Sequence, residues 1–144
     1  MKRNYLLWVL GHKIRLFDTD DSYGLIEVTS PPHVPGPPPH FHKHEKEFFF
    51  IISGTLDVMT NNEWQRCSAG SFVELSANVT HIFINNSEED VIWMTGWRPK
   101  GFERFFRDFG IPVSESQAQQ QSVADSVVQN VMRNVENYGM YLAE

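Results

Sequence analysis

Apolar and polar positions alternate from residue 5 to about residue 98 of the chain. Short runs rich in Val, Ile, Phe, Tyr and Thr are broken by turn residues at intervals of about eight to twelve positions, the rhythm of an all-β sandwich or barrel. The predicted strands are "YLLWVL" (5–10), "KIRLF" (13–17), "GLIEVTS" (24–30), "PPHFH" (38–42), "EFFFIIS" (47–53), "TLDVMT" (55–60), "EWQRC" (63–67), "SFVEL" (71–75), "HIFINN" (81–86) and "VIWMTGW" (91–97). Asn61 and Asn62 sit between two of these runs and fit a tight hairpin, because Asn tolerates positive φ.

The period changes after Pro99. "GFERFFRDFG" (101–110) reads as a short amphipathic helix, and Val123, Val127, Val131 and Val135 recur four apart on one side of a second helix from Ser122 to Tyr138. Ser122 with Asp125 fits its N-cap, and Gly139 its stop. The polar stretch "SESQAQQQ" between them reads as a surface connection. The six prolines of "PPHVPGPPPH" (31–40) favour an extended edge strand or rim loop over a linker, since the segments on either side are each too small to fold alone. The expected organisation is a β-domain over 1–100 and a helical extension over 101–144, packed on the barrel or on a partner subunit.

Composition narrows the function classes. A chain of 144 residues holds one core comfortably and two poorly. Its 18 acidic against 12 basic residues give a charge of -6, and no window concentrates Lys and Arg, which argues against nucleic acid as a partner. The single cysteine, Cys67, excludes an intrachain disulfide and a thiolate zinc framework. Six apolar residues near the N-terminus are too few for a membrane span and lack a signal-peptide cleavage region, so the expected location is the cytoplasm. An exposed sheet edge, with "YLLWVL" as a contributor, points to a homodimer.

The chemistry concentrates in "PHFHKHEKEFFFIISG" (39–54). Residues two apart on a strand share a face, so His40 and His42 project together while Phe41 points away. A short turn at "KHEK" would let Glu47 open the next strand and reach the same point, with Phe49 and Ile51 on its face. Two imidazoles and a carboxylate are a facial donor set for a divalent first-row metal, and His81, heading another apolar strand, supplies a fourth candidate with Phe83 beside it. Without thiolates, Fe(II), Mn, Ni, Co, Cu(II) and Zn all suit these donors. His44 and Glu45 fall in the turn, His12 and His33 lie outside either motif, and Glu74 offers no assigned acid or base role.

The spacings His-x-His-x4-Glu-x6-Gly from His40 to Gly54 and Gly-x5-Ser-x-Asn-x2-His-x3-Asn from Gly70 to Asn85 resemble the two motifs of the cupin superfamily, covering about 36–54 and 70–85. Ser76 and Asn78 stand where Pro and Gly are usual, and Val34 replaces a glycine that often precedes the first histidine. The resemblance implies a jelly-roll β-barrel of two antiparallel sheets, with His40, His42, Glu47 and His81 as ligands of one metal ion. "GPPPHFHKHEKEFFFIISGTL", "WRPKGFERFFRDFGIP" and "NYGM" further resemble small single-domain cupins grouped with bacterial quercetin 2,3-dioxygenases. That resemblance implies a small-molecule substrate of enol or flavonol type and a catalytic role for Glu47, while alternation turns Phe49, Ile51, Phe83 and one of Trp93 or Met94, with Trp93 preferred, toward the interior as pocket candidates. A ligand-sensing module and a sugar-type isomerase or epimerase are the alternative readings.

Overall fold

The computed structural model describes residues 4–144; residues 1–3, at the head of the expected barrel segment, lie outside the described residues. Twelve strands and three α-helices follow one another as β1 (Asn4–Val9), β2 (His12–Phe17), β3 (Gly24–Ser30), β4 (His40–His42), β5 (Lys46–Ser53), β6 (Thr55–Thr60), β7 (Glu63–Ser68), β8 (Phe72–Leu75), β9 (His81–Ile84), β10 (Val91–Arg98), α1 (Arg104–Phe109), β11 (Ile111–Pro112), α2 (Ala118–Ser122), α3 (Asp125–Asn134) and β12 (Met140–Leu142). A 3-10 turn over Val135–Tyr138 joins α3 to β12.

The strands form two antiparallel sheets, ordered β11-β1-β2-β3-β10-β5-β8 and β12-β4-β9-β6-β7. This is the jelly-roll arrangement. Alternation does the sorting: in β2 His12, Ile14 and Leu16 are buried while Lys13, Arg15 and Phe17 are half-buried, and in β10 Val91, Trp93, Thr95 and Trp97 face inward. Trp93, Phe49, Ile14, Leu16, Ile26, Ile51, Leu56 and Leu75 fill the space between the sheets. Burying each such large apolar side chain is worth about 1.5–3 kcal/mol against leaving it in water.

Turn chemistry sets several strand ends. Asn61 and Asn62 take φ of 49° and 68° in the β6–β7 hairpin, as their position predicts. The first predicted strand stops one residue early, because Leu10 (φ 50°) and Gly11 (φ 85°) make the two-residue turn of the β1–β2 hairpin. Gly36 compensates for the missing glycine at Val34: a Cβ there would lie 2.6 Å from the Phe83 carbonyl oxygen, so the proline-rich segment passes close over β9 only at a glycine. That segment is a rim loop, touching β9 through a single bridge between Pro35 and Ile84.

The C-terminal region differs from its expected outline. The helix predicted from Ser122 is broken: the polar stretch before it becomes α2, and Ala124, in an extended conformation, is the N-cap of α3. Ser122 ends α2 instead of capping α3. Its buried hydroxyl donates to the Gln119 carbonyl at 2.6 Å and accepts the Gly11 N–H at 2.9 Å, fastening the helix to the first hairpin. The valine stripe splits accordingly, with Val131 and Val135 buried and Val123 exposed. Gly139 does stop the helical segment, at φ 75°. The last residues then re-enter the β-structure, with Met140 opposite His42 and Leu142 opposite His40. β1 is no bare edge, because β11 pairs with it at Leu7 and Trp8.

Candidate metal centre

Strand register brings the predicted donors together. His40 on β4 lies directly opposite His81 on β9, and His42 follows two residues along the same inward face, all in the five-stranded sheet. Glu47 comes from the other sheet, on β5, where it is cross-strand neighbour to Trp97 of β10 and Leu75 of β8. The four are 2–5% exposed. Donor atoms of His40, His42 and His81 all lie within 4.8 Å of one another, with ring centroids 4.4–5.4 Å apart.

Glu47 Oε1 lies 3.1 Å from His42 Nε2 and 3.0 Å from His81 Nε2. Despite those separations, Glu47 Oε1 and His81 Nε2 have no hydrogen-bond partner. One carboxylate oxygen is thus shared between two imidazole nitrogens at ion-pair distance. Leaving buried polar atoms unpaired is costly, and a site that tolerates several together invites a cation.

Backbone carbonyls orient two of the rings. His40 Nδ1 faces the Pro38 carbonyl and His81 Nδ1 faces the Val79 carbonyl, both at 2.9 Å. A carbonyl only accepts, so each neutral ring carries its proton on Nδ1 and keeps Nε2 free. Val79 is held for this by Asn78, which takes φ of 70° in the turn before β9. Thr95 donates to Glu47 Oε2 at 2.7 Å, leaving the other carboxylate oxygen uncommitted.

Electrostatics separate the members of the cluster. Burial, then the neighbouring His81 and His42 rings, push His40 down to about 3. Burial would raise the Glu47 carboxyl, but His42 and His81 outweigh it and hold Glu47 below the ordinary carboxylate range. His81 moves the other way: burial opposes its charge, while the Glu47 carboxylate and the Val79 carbonyl raise it. Glu47 and His40 are thereby held in the deprotonated forms that a metal ion needs, whereas His81 would release a proton on binding one.

The cluster opens on a cavity of about 70 Å³. Phe49, Phe83 and Trp93 are among the residues that line it; Ile51, on the same face of β5, is buried in the core outside the lining. His44 is exposed, and His33 is an exposed residue paired with Glu88 at 2.8 Å. Glu74 faces outward and pairs with Lys46 at 3.0 Å. Glu45 does lie in the turn, yet it is buried at 8% exposure, and burial raises its carboxyl.

Five cavity residues escape the motif reading. His12 is buried and lines the cavity; its Nδ1 lies 3.0 Å from Ser30 Oγ and its Nε2 3.0 Å from the Pro35 carbonyl. Trp97, Phe102, Phe105 and Phe106 complete the aromatic wall. The parity of His12 with Ile14 and Leu16, and of Trp97 with Trp93, was the signal that could have placed them inside.

Comparisons with known proteins agree with the fold. The Cupin_2 model of the cupin domain matches residues 26–97, half of the chain. A 51-residue stretch is 41% identical to the HTH-type transcriptional regulator SutR of Escherichia coli strain K12, spanning 33% of this chain and 29% of that protein, so the match covers well under two thirds of the regulator's length. Among solved structures, KdgF from a Halomonas species is 18% identical with a TM-score of 0.58, covering 62% of this chain and 80% of that one. A cupin-superfamily sugar phosphate isomerase from Silicibacter pomeroyi is 16% identical with a TM-score of 0.58, covering 63% and 61%. At these identities the structural matches establish the fold alone.

Proposed function

The chain belongs to the cupin family, and from that premise we propose that His40, His42, Glu47 and His81 hold one divalent first-row metal ion beside a compact, oxygen-bearing small molecule. The observation that carries this reading is the convergence of Glu47 Oε1 on His42 and His81 at 3.1 and 3.0 Å without a hydrogen bond satisfying Glu47 Oε1 or His81 Nε2. The donor set of three imidazoles and one carboxylate fits Fe(II), Mn, Ni, Co, Cu(II) or Zn. Bound there, such an ion supplies Lewis acidity toward an oxygen of the small molecule.

The remaining residues define what enters. The largely aromatic and aliphatic lining excludes water and strengthens every charge interaction inside. Among the described residues that line the cavity there is no Lys or Arg, so a phosphate group would find no cation. That supports a neutral enol or diketone over the phosphorylated sugars named for one structural neighbour. The cavity, about 70 Å³ against the roughly 300–1,000 Å³ usual for drug-sized ligands, supports a molecule smaller than a three-ring flavonol. The reaction we propose is a dioxygenation, with Glu47 as the proton acceptor from the enol. Entry of both atoms of one O2 into the products balances without an added reductant.

Elemental analysis of protein purified without chelator tests the centre: we expect about one first-row metal per chain, and none in a His40→Ala, His42→Ala double variant. Unchanged metal content in that variant would remove the site. Oxygen uptake measured across enols, diketones, flavonols and sugars then separates dioxygenation from isomerisation. The similarity to part of a transcriptional regulator favours one second reading, a cavity that holds its ligand without turnover; metal binding with no consumption of any of these compounds would select it.

A further inference from the structure

Two inward-facing tryptophans share β10 and differ in what their indole N–H groups meet. Trp93 Nε1 donates to Ser30 Oγ at 2.9 Å. Trp97 is 2% exposed and lines the same cavity, but its Nε1 has no hydrogen-bond partner. An indole nitrogen is a donor only, so no change of tautomer or rotation of a hydroxyl can relieve it.

None of the groups around Trp97 takes a hydrogen bond from its indole N–H. Phe102 and Phe106 pack against its ring at centroid distances of 5.1 and 5.5 Å, and the His42 ring lies 6.4 Å away, edge-on. Its cross-strand neighbour is Glu47, whose Oε2 is already held by Thr95, two residues back on β10. A buried donor on a cavity-lining residue, next to the donor cluster and without a hydrogen bond inside the protein, is open to an acceptor that the cavity receives.

We infer that Trp97 Nε1 donates a hydrogen bond to an oxygen of the small molecule bound beside His40, His42, Glu47 and His81, which makes Trp97 a specificity-determining residue. The inference rests on the metal-centre reading above and adds to it a required feature of the ligand, an acceptor oxygen facing β10. A site built around such a donor rejects molecules lacking the acceptor far more strongly than an apolar wall could.

The test uses the zinc-loaded full chain with two small probes, acetohydroxamate, which presents oxygens, and imidazole, which presents none. With tryptophan labelled with nitrogen-15, hydroxamate is expected to move the Trp97 indole proton downfield and leave that of Trp93 in place; imidazole should not reproduce the shift. Trp97→Phe should weaken hydroxamate about tenfold while imidazole affinity holds. An unmoved Trp97 signal with hydroxamate bound, equal loss for both probes, or no hydroxamate binding to the zinc-loaded chain would overturn the inference alone. Failure to take up zinc would overturn the metal-centre reading together with it. Should the variant not fold, the labelled wild-type titration still decides.

Discussion

Two buried histidine clusters face one cavity, and they are built on opposite rules. Around His12 every polar atom has a partner: Trp93 Nε1 donates to Ser30 Oγ, the Ser30 hydroxyl donates to His12 Nδ1, and His12 Nε2 donates to the Pro35 carbonyl, at 2.9, 3.0 and 3.0 Å. The order of donation is forced, since an indole only donates and a carbonyl only accepts. Around Glu47, short separations coexist with unpaired atoms on Glu47, His42 and His81. The first cluster therefore reads as structural, pinning the proline-rich rim loop to β2 and β3, and the second as a receptor for something the chain does not itself supply. Burial of an imidazole distinguishes neither; hydrogen-bond satisfaction does.

The sharpest way to break this contrast is to remove the shared hydroxyl of the satisfied cluster. Ser30→Ala leaves Trp93 Nε1 and His12 Nδ1 without partners, at about 1–3 kcal/mol per stranded group. Urea unfolding should report a loss of about 2–6 kcal/mol, with metal content unchanged. Loss of metal at unaltered stability would reverse the assignment of the two clusters.

Thr95→Val probes the other cluster from behind. It deletes the hydrogen bond that fixes Glu47 Oε2, and partners behind a ligand typically contribute 10–100-fold to metal affinity, or about 1.4–2.7 kcal/mol. Competition with a chelator measures it. An affinity equal to wild type would show that the carboxylate needs no support or does not bind the ion.

The smallest effect is on the pH dependence of the metal-free chain. His12 and His40 are both held neutral by burial, with His40 down to about 3. Between that value and the unfolded value of 6.5 the unfolded chain binds protons that the native chain does not, so their contribution to stability rises with pH. His81, raised in the native state, contributes fully below 6.5 and loses its contribution as pH climbs through its native value. Glu47, lowered, contributes above 4.5 and weakens only below it. Thermal unfolding in chelator should therefore show a falling midpoint from pH 6.5 to 4.5. A flat or rising midpoint would show that neither buried imidazole is held neutral.

The strand pattern, the tight turn at Asn61–Asn62 and the inward face that His40 shares with His42 were legible from turn chemistry and period-2 alternation, because a strand fixes the face of every second residue. The exposure of His44 followed from its place in the turn. Glu45 was legible as a turn residue but not as a buried one, since its cover comes from elsewhere: its carboxylate lies near the Gly101 and Gly139 positions, far along the chain. The helix from Ser122 failed as a prediction for a related reason. The valine spacing continues through residues 123 and 124, but the hydroxyl of Ser122 is claimed by Gly11, more than a hundred residues away, and no local propensity encodes that.

Sequence by itself determined which strand residues share a face and which of them have the chemistry to hold a metal, since both follow from covalent periodicity and donor type. Only the tertiary structure decided which inward groups are satisfied and which are left open. It paired His12 with Ser30 and Pro35, left the Trp97 N–H without a hydrogen bond, and set Glu47 of one sheet against the histidines of the other. Hydrogen-bond satisfaction depends on the direction and separation of groups brought together across two sheets, and those quantities do not exist until the sheets pack.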